Sequence, residues 1–133
     1  MPAPGAGPAP GDAEPRAARL SRAVEREGGA CVWCRRPFGP LVLATTDHLV
    51  PRVRGGPSWL ENEVAACRRC NGQRGHAGAA DWVRECRGRS WEPDVEHVLV
   101  VLRSLLDAAH RRGGQRRART AADGQVRRLE RLR

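Results

Sequence analysis

The chain is short of the large apolar side chains from which a hydrophobic core is built. Its 133 residues include one Phe, one Met and no Tyr, and aromatic residues make up only 4% of the total. A folded part of roughly ninety residues with so thin a core would be marginally stable alone. Small domains of this kind usually need a disulfide or a metal ion as a staple. The length predicts one domain with tails, and the cysteines are the natural place to look for its staple.

Two kinds of targeting segment are also missing. No run of about eighteen apolar residues exists, so we expect neither a membrane span nor a membrane partner. Residues 1–15 lack the basic stretch followed by an apolar stretch that marks a secretory signal peptide. These absences predict a cytoplasmic protein, in which Cys-x-x-Cys pairs bind metal more often than they form disulfides.

Lysine is absent as well, so all 24 basic residues are arginine and the formal net charge is +9. A charge of this sign suits a polyanionic partner, and arginine makes bidentate phosphate contacts that lysine cannot make. A coding bias towards Ala, Arg, Gly and Pro would produce the same composition. Charge alone therefore indicates nucleic acid only weakly.

Composition and periodicity divide the chain into a leader, a domain and a tail. Residues 1–13 are rich in Pro, Ala and Gly, and we expect them to be disordered. The domain is predicted over residues 14–110, and an arginine-rich tail with at most a short terminal helix over residues 111–133. Within the domain the patterns predict helices over 14–27, 68–74, 79–86 and 93–110, and short strands over 41–46 and 63–66.

The helix predicted over residues 93–110 carries a stripe of Val, Leu and Ala at helical spacing. Core packing is the simplest interpretation of such a stripe. If the stripe were exposed, it would instead favour a dimer or a protein partner.

The strongest structural signal is a repeated cysteine pair, Cys31-x-x-Cys34 and Cys67-x-x-Cys70. Two such pairs supply four thiolates, which suit a tetrahedral structural Zn²⁺ ion. Residues 35–66 separate the pairs, and this segment is longer than the roughly 15–20 residues of a simple zinc ribbon. A further functional element is therefore expected between them. Cys86 is left over and is interpreted as a partly buried free thiol.

Several short motifs lie between and after the cysteine pairs. In chain order they are Asp47-His48, Pro51, Gly55-Gly56, Glu61-Asn62, and then Asn71 and Arg74. In this order and spacing, together with the cysteine pairs, they resemble the HNH endonucleases over residues 19–83. The resemblance implies an α+β fold, namely a small ββα-metal (His-Me finger) domain with its core motif at residues 31–75. A zinc site made of the four paired cysteines would staple this domain, and helices would flank it.

The resemblance also implies roles for individual residues in phosphodiester hydrolysis. His48 matches the general base, and Asp47 and Asn71 match the ligands of a single catalytic metal ion. Asn62 matches the residue that orients the catalytic His, and Arg74 stands where many members have a phosphate-binding Lys. Residue chemistry agrees, since an imidazole titrates near neutral pH and carboxylate and amide oxygens suit Mg²⁺ or Mn²⁺. His76 lies five residues after Asn71 and is interpreted as a surface or supporting residue.

Four further arginines are candidates for phosphate contacts on both sides of the scissile bond. Arg52 and Arg54 lie in the loop between the strands, and Arg68 and Arg69 lie in the second cysteine pair. The expected partner is nucleic acid, with DNA favoured over RNA. The arginines of the tail are equally compatible with a non-specific nucleic-acid arm and with a solvated tail.

The main alternative is a non-catalytic zinc-ribbon module that binds nucleic acid. Such a module needs the cysteines and arginines but not Asp47, His48, Asn62 and Asn71.

Overall fold

A two-stranded antiparallel sheet followed by a short helix forms the centre of the fold, seen in a computed structural model that describes residues 14–133. Strand β1 (Ala44–His48) pairs with β2 (Glu63–Cys67), with Ala44 opposite Cys67 and His48 opposite Glu63. The predicted leader lies outside the described residues. The mixed α+β class and the ββα order predicted from the sequence are confirmed.

Helices surround this centre. Their bounds are Arg16–Arg26 for α1, Arg68–Arg74 for α2, Ala79–Gly88 for α3, Val95–Arg112 for α4 and Arg116–Glu130 for α5. Short 3₁₀ turns lie at Arg52–Arg54 and Leu60–Asn62, in the connection between the strands. Within residues 14–133, no helix has both the length and the apolar character needed to cross a membrane.

The first strand lies later in the chain than residues 41–46, where the apolar run predicted it. Gly39 and Val42 exchange two backbone hydrogen bonds of 3.1 Å, which closes a tight turn and leaves Leu41 96% exposed. Hairpin pairing with β2 therefore begins at Ala44, and His48 becomes the last residue of the strand instead of following it. An apolar run marked this region, but the turn decided where the strand begins.

Helix α4 supplies much of the core. Its buried residues are Val95, Val98, Leu99, Val101, Leu102, Leu105, Ala108 and Ala109. The helix packs against α5, β2 and the turn at Leu60–Asn62. The apolar stripe of residues 93–110 is thus covered by the chain itself, as the interpretation of core packing predicts.

The segment 111–133 is not a tail with a short terminal helix, as its composition suggested. Helix α4 extends to Arg112, and α5 packs on it through a face whose buried residues are Ala118, Ala122, Gln125 and Leu129. Gln125 also accepts a 2.9 Å hydrogen bond from the backbone N–H of Ala80, at the start of α3. Small side chains let α5 approach α4 closely, and such a face has little hydrophobic signal in the sequence.

Candidate active site and metal centre

Four cysteines converge at the end of the sheet where β1 begins and β2 ends. The sulfur atoms of Cys31, Cys34, Cys67 and Cys70 all lie within 4.8 Å of one another. The separation of 3.9 Å between the Cys34 and Cys67 sulfurs is close to what a tetrahedral ion with Zn–S bonds of about 2.3 Å requires. The donor set therefore fits a thiophilic ion such as Zn²⁺.

The negative charge of the ionised thiols in this cluster favours binding of a cation. Hydrogen bonding from Cys70 lowers the pKa of Cys31 to about 5, while the same pairing raises the pKa of Cys70. Four adjacent thiolates repel one another, so all four ionise together only around a positive ion. Arg36, which the sequence analysis did not single out, donates to the Cys34 sulfur at 3.5 Å and to the Cys67 sulfur at 3.3 Å. Its charge offsets part of the excess negative charge that four thiolates keep around a divalent ion.

An open pocket of about 400 Å³ lies at the opposite end of the sheet, beside His48. The pocket brings together three of the predicted site residues, Asp47, His48 and Asn71, with the predicted phosphate ligand Arg52. The other residues that line it are Arg16, Arg19, Thr46, Pro51, Ser58, Gly75 and His76. The pocket is thus lined by basic groups and by oxygen donors.

His48 is held at one edge of its ring. Its Nε2 lies 3.0 Å from the Ser58 hydroxyl and 3.4 Å from the Glu63 carboxylate. A carboxylate only accepts hydrogen bonds, so the neutral ring carries its proton on Nε2 and keeps the lone pair on Nδ1. Burial lowers the pKa of His48 to about 4, and the nearby Arg52 reinforces that shift against the opposing charge of Asp47. At neutral pH the imidazole is therefore an uncharged proton acceptor.

Glu63 is a component of the site that the sequence analysis missed. The residue has no exposed surface, and both of its carboxylate oxygens face Arg19, at 2.7 Å from Nε and 3.2 Å from Nη2. Arg19 of α1 therefore balances the buried charge of Glu63 on one side, and the same carboxylate faces His48 on the other. The only sequence signal is an acidic residue at the start of a buried strand, and its contact with His48 depends on the pairing register.

Asp47 is buried against Arg74 and Trp33. Its carboxylate accepts a 2.7 Å hydrogen bond from the indole Nε1 of Trp33 and forms an ion pair with the Nη1 of Arg74. Burial raises the pKa of Asp47, whereas the charge of Arg74 and the two hydrogen bonds oppose that shift. Each carboxylate oxygen has a second lone pair, so these contacts and a metal ion at the pocket edge are chemically compatible.

Arg74, for which a phosphate contact is predicted, has protein partners in this structure. The guanidinium is buried and donates to the backbone carbonyls of His48 and Leu49 at 2.9 and 2.7 Å, in addition to its ion pair with Asp47. The planar fork of an arginine satisfies several acceptors at once, which a lysine cannot do. Arg74 therefore fixes the end of β1 and the chain that follows it.

Asn71 is positioned by the end of β1. Its Nδ2 donates to the Thr45 hydroxyl at 2.9 Å and to the Thr46 carbonyl at 3.2 Å. In the described part of the chain its Oδ1 accepts no hydrogen bond, and the residue lines the His48 pocket. The amide oxygen is thus free to serve as a ligand for a hard cation.

Asn62 is fully buried and acts on the loop that follows β1. Its Oδ1 accepts from the Val50 N–H at 2.9 Å, and its Nδ2 donates to the carbonyls of Val50 and Pro57 at 3.0 Å each. Gly56 permits this close packing, because a Cβ there would lie 1.7 Å from the Val50 oxygen. Within residues 14–133 Asn62 makes no hydrogen bond to the His48 ring, and it fixes the loop beside that ring.

The predicted phosphate-binding arginines divide between different surfaces. Arg52 lines the His48 pocket, and Arg54 lines a neighbouring cleft. Arg68 and Arg69 lie near the cysteine cluster, and the guanidinium of Arg69 stacks 4.4 Å above the Trp91 ring. The structure instead adds Arg16 and Arg19 of α1 to the pocket, three positions apart on one helix face.

Comparisons with known proteins agree with this geometry. Residues 31–86 match the family described as HNH endonuclease. The chain is 35% identical over 64 residues to the CRISPR-associated endonuclease Cas9 of Corynebacterium diphtheriae, and 34% identical over 65 residues to that of Actinomyces naeslundii. These alignments cover 47% and 48% of the chain but only 6% of each relative's length. Residues 31–86, which contain the cysteine cluster, His48 and Asn71, are therefore a domain of the HNH endonuclease family.

Proposed function

We propose that the chain is a metal-dependent endonuclease that hydrolyses phosphodiester bonds of nucleic acid, with DNA favoured over RNA. One observation carries the proposal most directly. A neutral imidazole, anchored through Nε2, lies in an open pocket lined by arginines and by two oxygen donors suited to a divalent ion. A module that only binds nucleic acid has no need of this arrangement.

The proposed chemistry is hydrolysis by an activated water. The Nδ1 atom of His48 takes a proton from the water as the water oxygen attacks phosphorus, and the phosphorus–oxygen bond to the 3′ oxygen breaks. Arg16 and Arg52 stabilise the negative charge that develops on the phosphate oxygens. Glu63 keeps the His48 proton on Nε2, so that Nδ1 faces the reaction with its lone pair.

The residues that would hold a catalytic metal ion are Asp47 and Asn71. Their oxygen atoms fit Mg²⁺ or Mn²⁺, which when bound supplies a Lewis acid at the scissile phosphate and leaving oxygen. The four cysteines would hold a separate Zn²⁺ ion, whose binding contributes folding free energy. Since such a thiolate site requires reduced cysteines, we place the protein in the cytoplasm.

The alternative of a non-catalytic zinc-ribbon module is favoured by one specific contact set. Both carboxylate oxygens of Asp47 are already engaged, by Arg74 and by Trp33. If these contacts exclude a metal ion, the pocket would bind phosphate without cleaving it.

Cleavage of supercoiled plasmid by the zinc-loaded protein distinguishes these functions. We expect nicked or linear product with Mg²⁺ or Mn²⁺. We expect intact plasmid when neither ion is added and a chelator too weak to remove structural zinc is present. A parallel reaction with structured RNA tests the substrate. Plasmid and RNA that are bound but remain intact at every metal concentration would favour the binding module.

A further inference from the structure

Helix α5 is attached to the loop that carries Arg52 and Arg54. The Nη2 of Arg117 donates to the Val53 carbonyl at 2.8 Å. Gly55 has a φ of +86°, and a Cβ there would lie 3.1 Å from the Cβ of Arg117. Glycine at this position therefore permits the close approach of α5 to the edge of the His48 pocket.

The side of α5 that faces this loop is lined by arginine. One cleft of about 290 Å³ between α5 and residues 49–51 is lined in part by Arg54, Arg127 and Arg128. A second, more open cleft is lined by Arg54, Arg116 and Arg117. Arg54 borders both clefts, so the two form one surface that begins next to the His48 pocket.

Within residues 14–133 these arginines form no ion pair, a property that Arg119 and Arg131 share but that three other arginines around α5 do not. Arg103, Arg112 and Arg133 form ion pairs with Glu130, Glu61 and Glu96. Within residues 14–133, no carboxylate lies within 4.0 Å of the guanidinium groups on the surface formed by Arg54, Arg116, Arg117, Arg127 and Arg128. Five guanidinium groups without a carboxylate within 4.0 Å therefore lie on the side that adjoins the pocket.

We infer that this surface, which we call the α5 surface, binds the phosphate backbone of the nucleic acid that flanks the scissile bond. The inference rests on the proposed function, because it takes the His48 pocket as the site of cleavage. The 15 residues of α5 extend about 22 Å, which is on the order of seven base pairs of duplex. Backbone contacts of this kind position a substrate without reading its sequence.

Four of the five arginines of the α5 surface lie outside residues 31–86, so their contribution to binding is separable from the HNH domain itself. Two of its arginines are suitable for substitution, because Arg116 and Arg127 are exposed and have no role in attaching the loop. The matched control removes two exposed arginines that line neither cleft and form no ion pair within residues 14–133, Arg87 of α3 and Arg111 of α4. Both double variants therefore lose the same charge.

The test measures binding to a labelled DNA duplex of about 30 base pairs by fluorescence anisotropy at several salt concentrations. All proteins carry His48→Ala, so that binding is observed without cleavage. We expect R116Q/R127Q to reduce the magnitude of the slope of log affinity against log salt by about 2, and R87Q/R111Q to leave it unchanged. Circular dichroism and zinc content confirm that both variants are folded.

The outcomes separate this inference from the proposed function. Equal salt slopes for the two double variants would overturn the role of the α5 surface, even if the wild-type protein cleaves DNA. If R116Q/R127Q lost as much affinity for a polyglutamate probe as for the DNA duplex, the assignment to a nucleic-acid backbone would be overturned. Failure of the His48→Ala background to bind either duplex or single-stranded nucleic acid would overturn the proposed function as well.

Discussion

The two ends of the β1–β2 hairpin carry opposite chemistry. At one end, four mostly buried sulfur atoms converge and suit a soft ion. At the other end, about 14 Å away along a five-residue strand, a nitrogen and several oxygens line an open pocket. The cysteine end is closed and suits folding, whereas the His48 end is accessible and suits reaction. Changes at the first end should therefore abolish both structure and activity, and changes at the second should affect activity more than structure.

The largest effect is expected for Cys67→Ser, because it removes one of four ligands from the cysteine end. Without a bound ion the thin core leaves the domain marginal, so we expect loss of both zinc and cooperative folding. Metal analysis and thermal unfolding followed by circular dichroism measure these two properties. Cys86→Ser is the control, since Cys86 is buried but lies outside the cluster. A folded, zinc-free Cys67→Ser protein would show that the cluster is not a staple.

Arg74 of α2 connects the two ends of the hairpin, and we expect Arg74→Met to cause a smaller loss of stability than Cys67→Ser. The substitution leaves the buried Asp47 carboxylate without its ion pair, and breaking such a pair costs about 3–5 kcal/mol of unfolding free energy. Urea unfolding of the zinc-saturated protein measures this loss. Arg68→Met on the same helix is exposed and should change stability by less than about 0.5 kcal/mol. Equal stability of the two variants, with DNA affinity lost only in Arg74→Met, would support the phosphate role predicted for Arg74.

A more local effect is expected for Glu63→Gln at the His48 end. The amide no longer fixes the imidazole proton on Nε2 as strongly, so we expect kcat to fall about 10- to 100-fold with little change in KM. Nitrogen NMR of His48 should show a changed balance of the two neutral tautomers. Glu27→Gln is the control, since Glu27 is a buried carboxylate that accepts from the Ala65 N–H and does not touch His48. If both variants lose the same activity, Glu63 stabilises the fold and does not position His48.

The cysteine end and three pocket residues, Asp47, His48 and Asn71, could be predicted from the sequence because they belong to motifs with a recognisable order and spacing. Cys-x-x-Cys pairs identify themselves, and Asp47-His48 and Asn71 lie at set distances from them. The contacts of these residues were not predictable. Whether Arg74 faces solvent or Asp47, and whether Glu63 meets His48, depends on the pairing register and on helix rotation.

The C-terminal region was predictable only in part. The apolar stripe at residues 93–110 predicted helix α4, and the interpretation of the stripe as part of the core was correct. The packing of α5 was missed because Ala118 and Ala122 carry little hydrophobic signal, and arginines dominate the rest of the segment. Tertiary contact, and not local pattern, decides that residues 116–130 belong to the folded unit.

The most direct test of the account is plasmid cleavage by wild type and His48→Ala at equal zinc content, in the presence of Mg²⁺ or Mn²⁺. The account predicts metal-dependent cleavage by the wild type and at least a 100-fold loss in the variant, roughly the contribution of a positioned general base. It also predicts that His48→Ala retains its zinc, its fold and its affinity for DNA. Undiminished cleavage by a folded, zinc-loaded His48→Ala protein would contradict the assignment of this end of the hairpin as the active site.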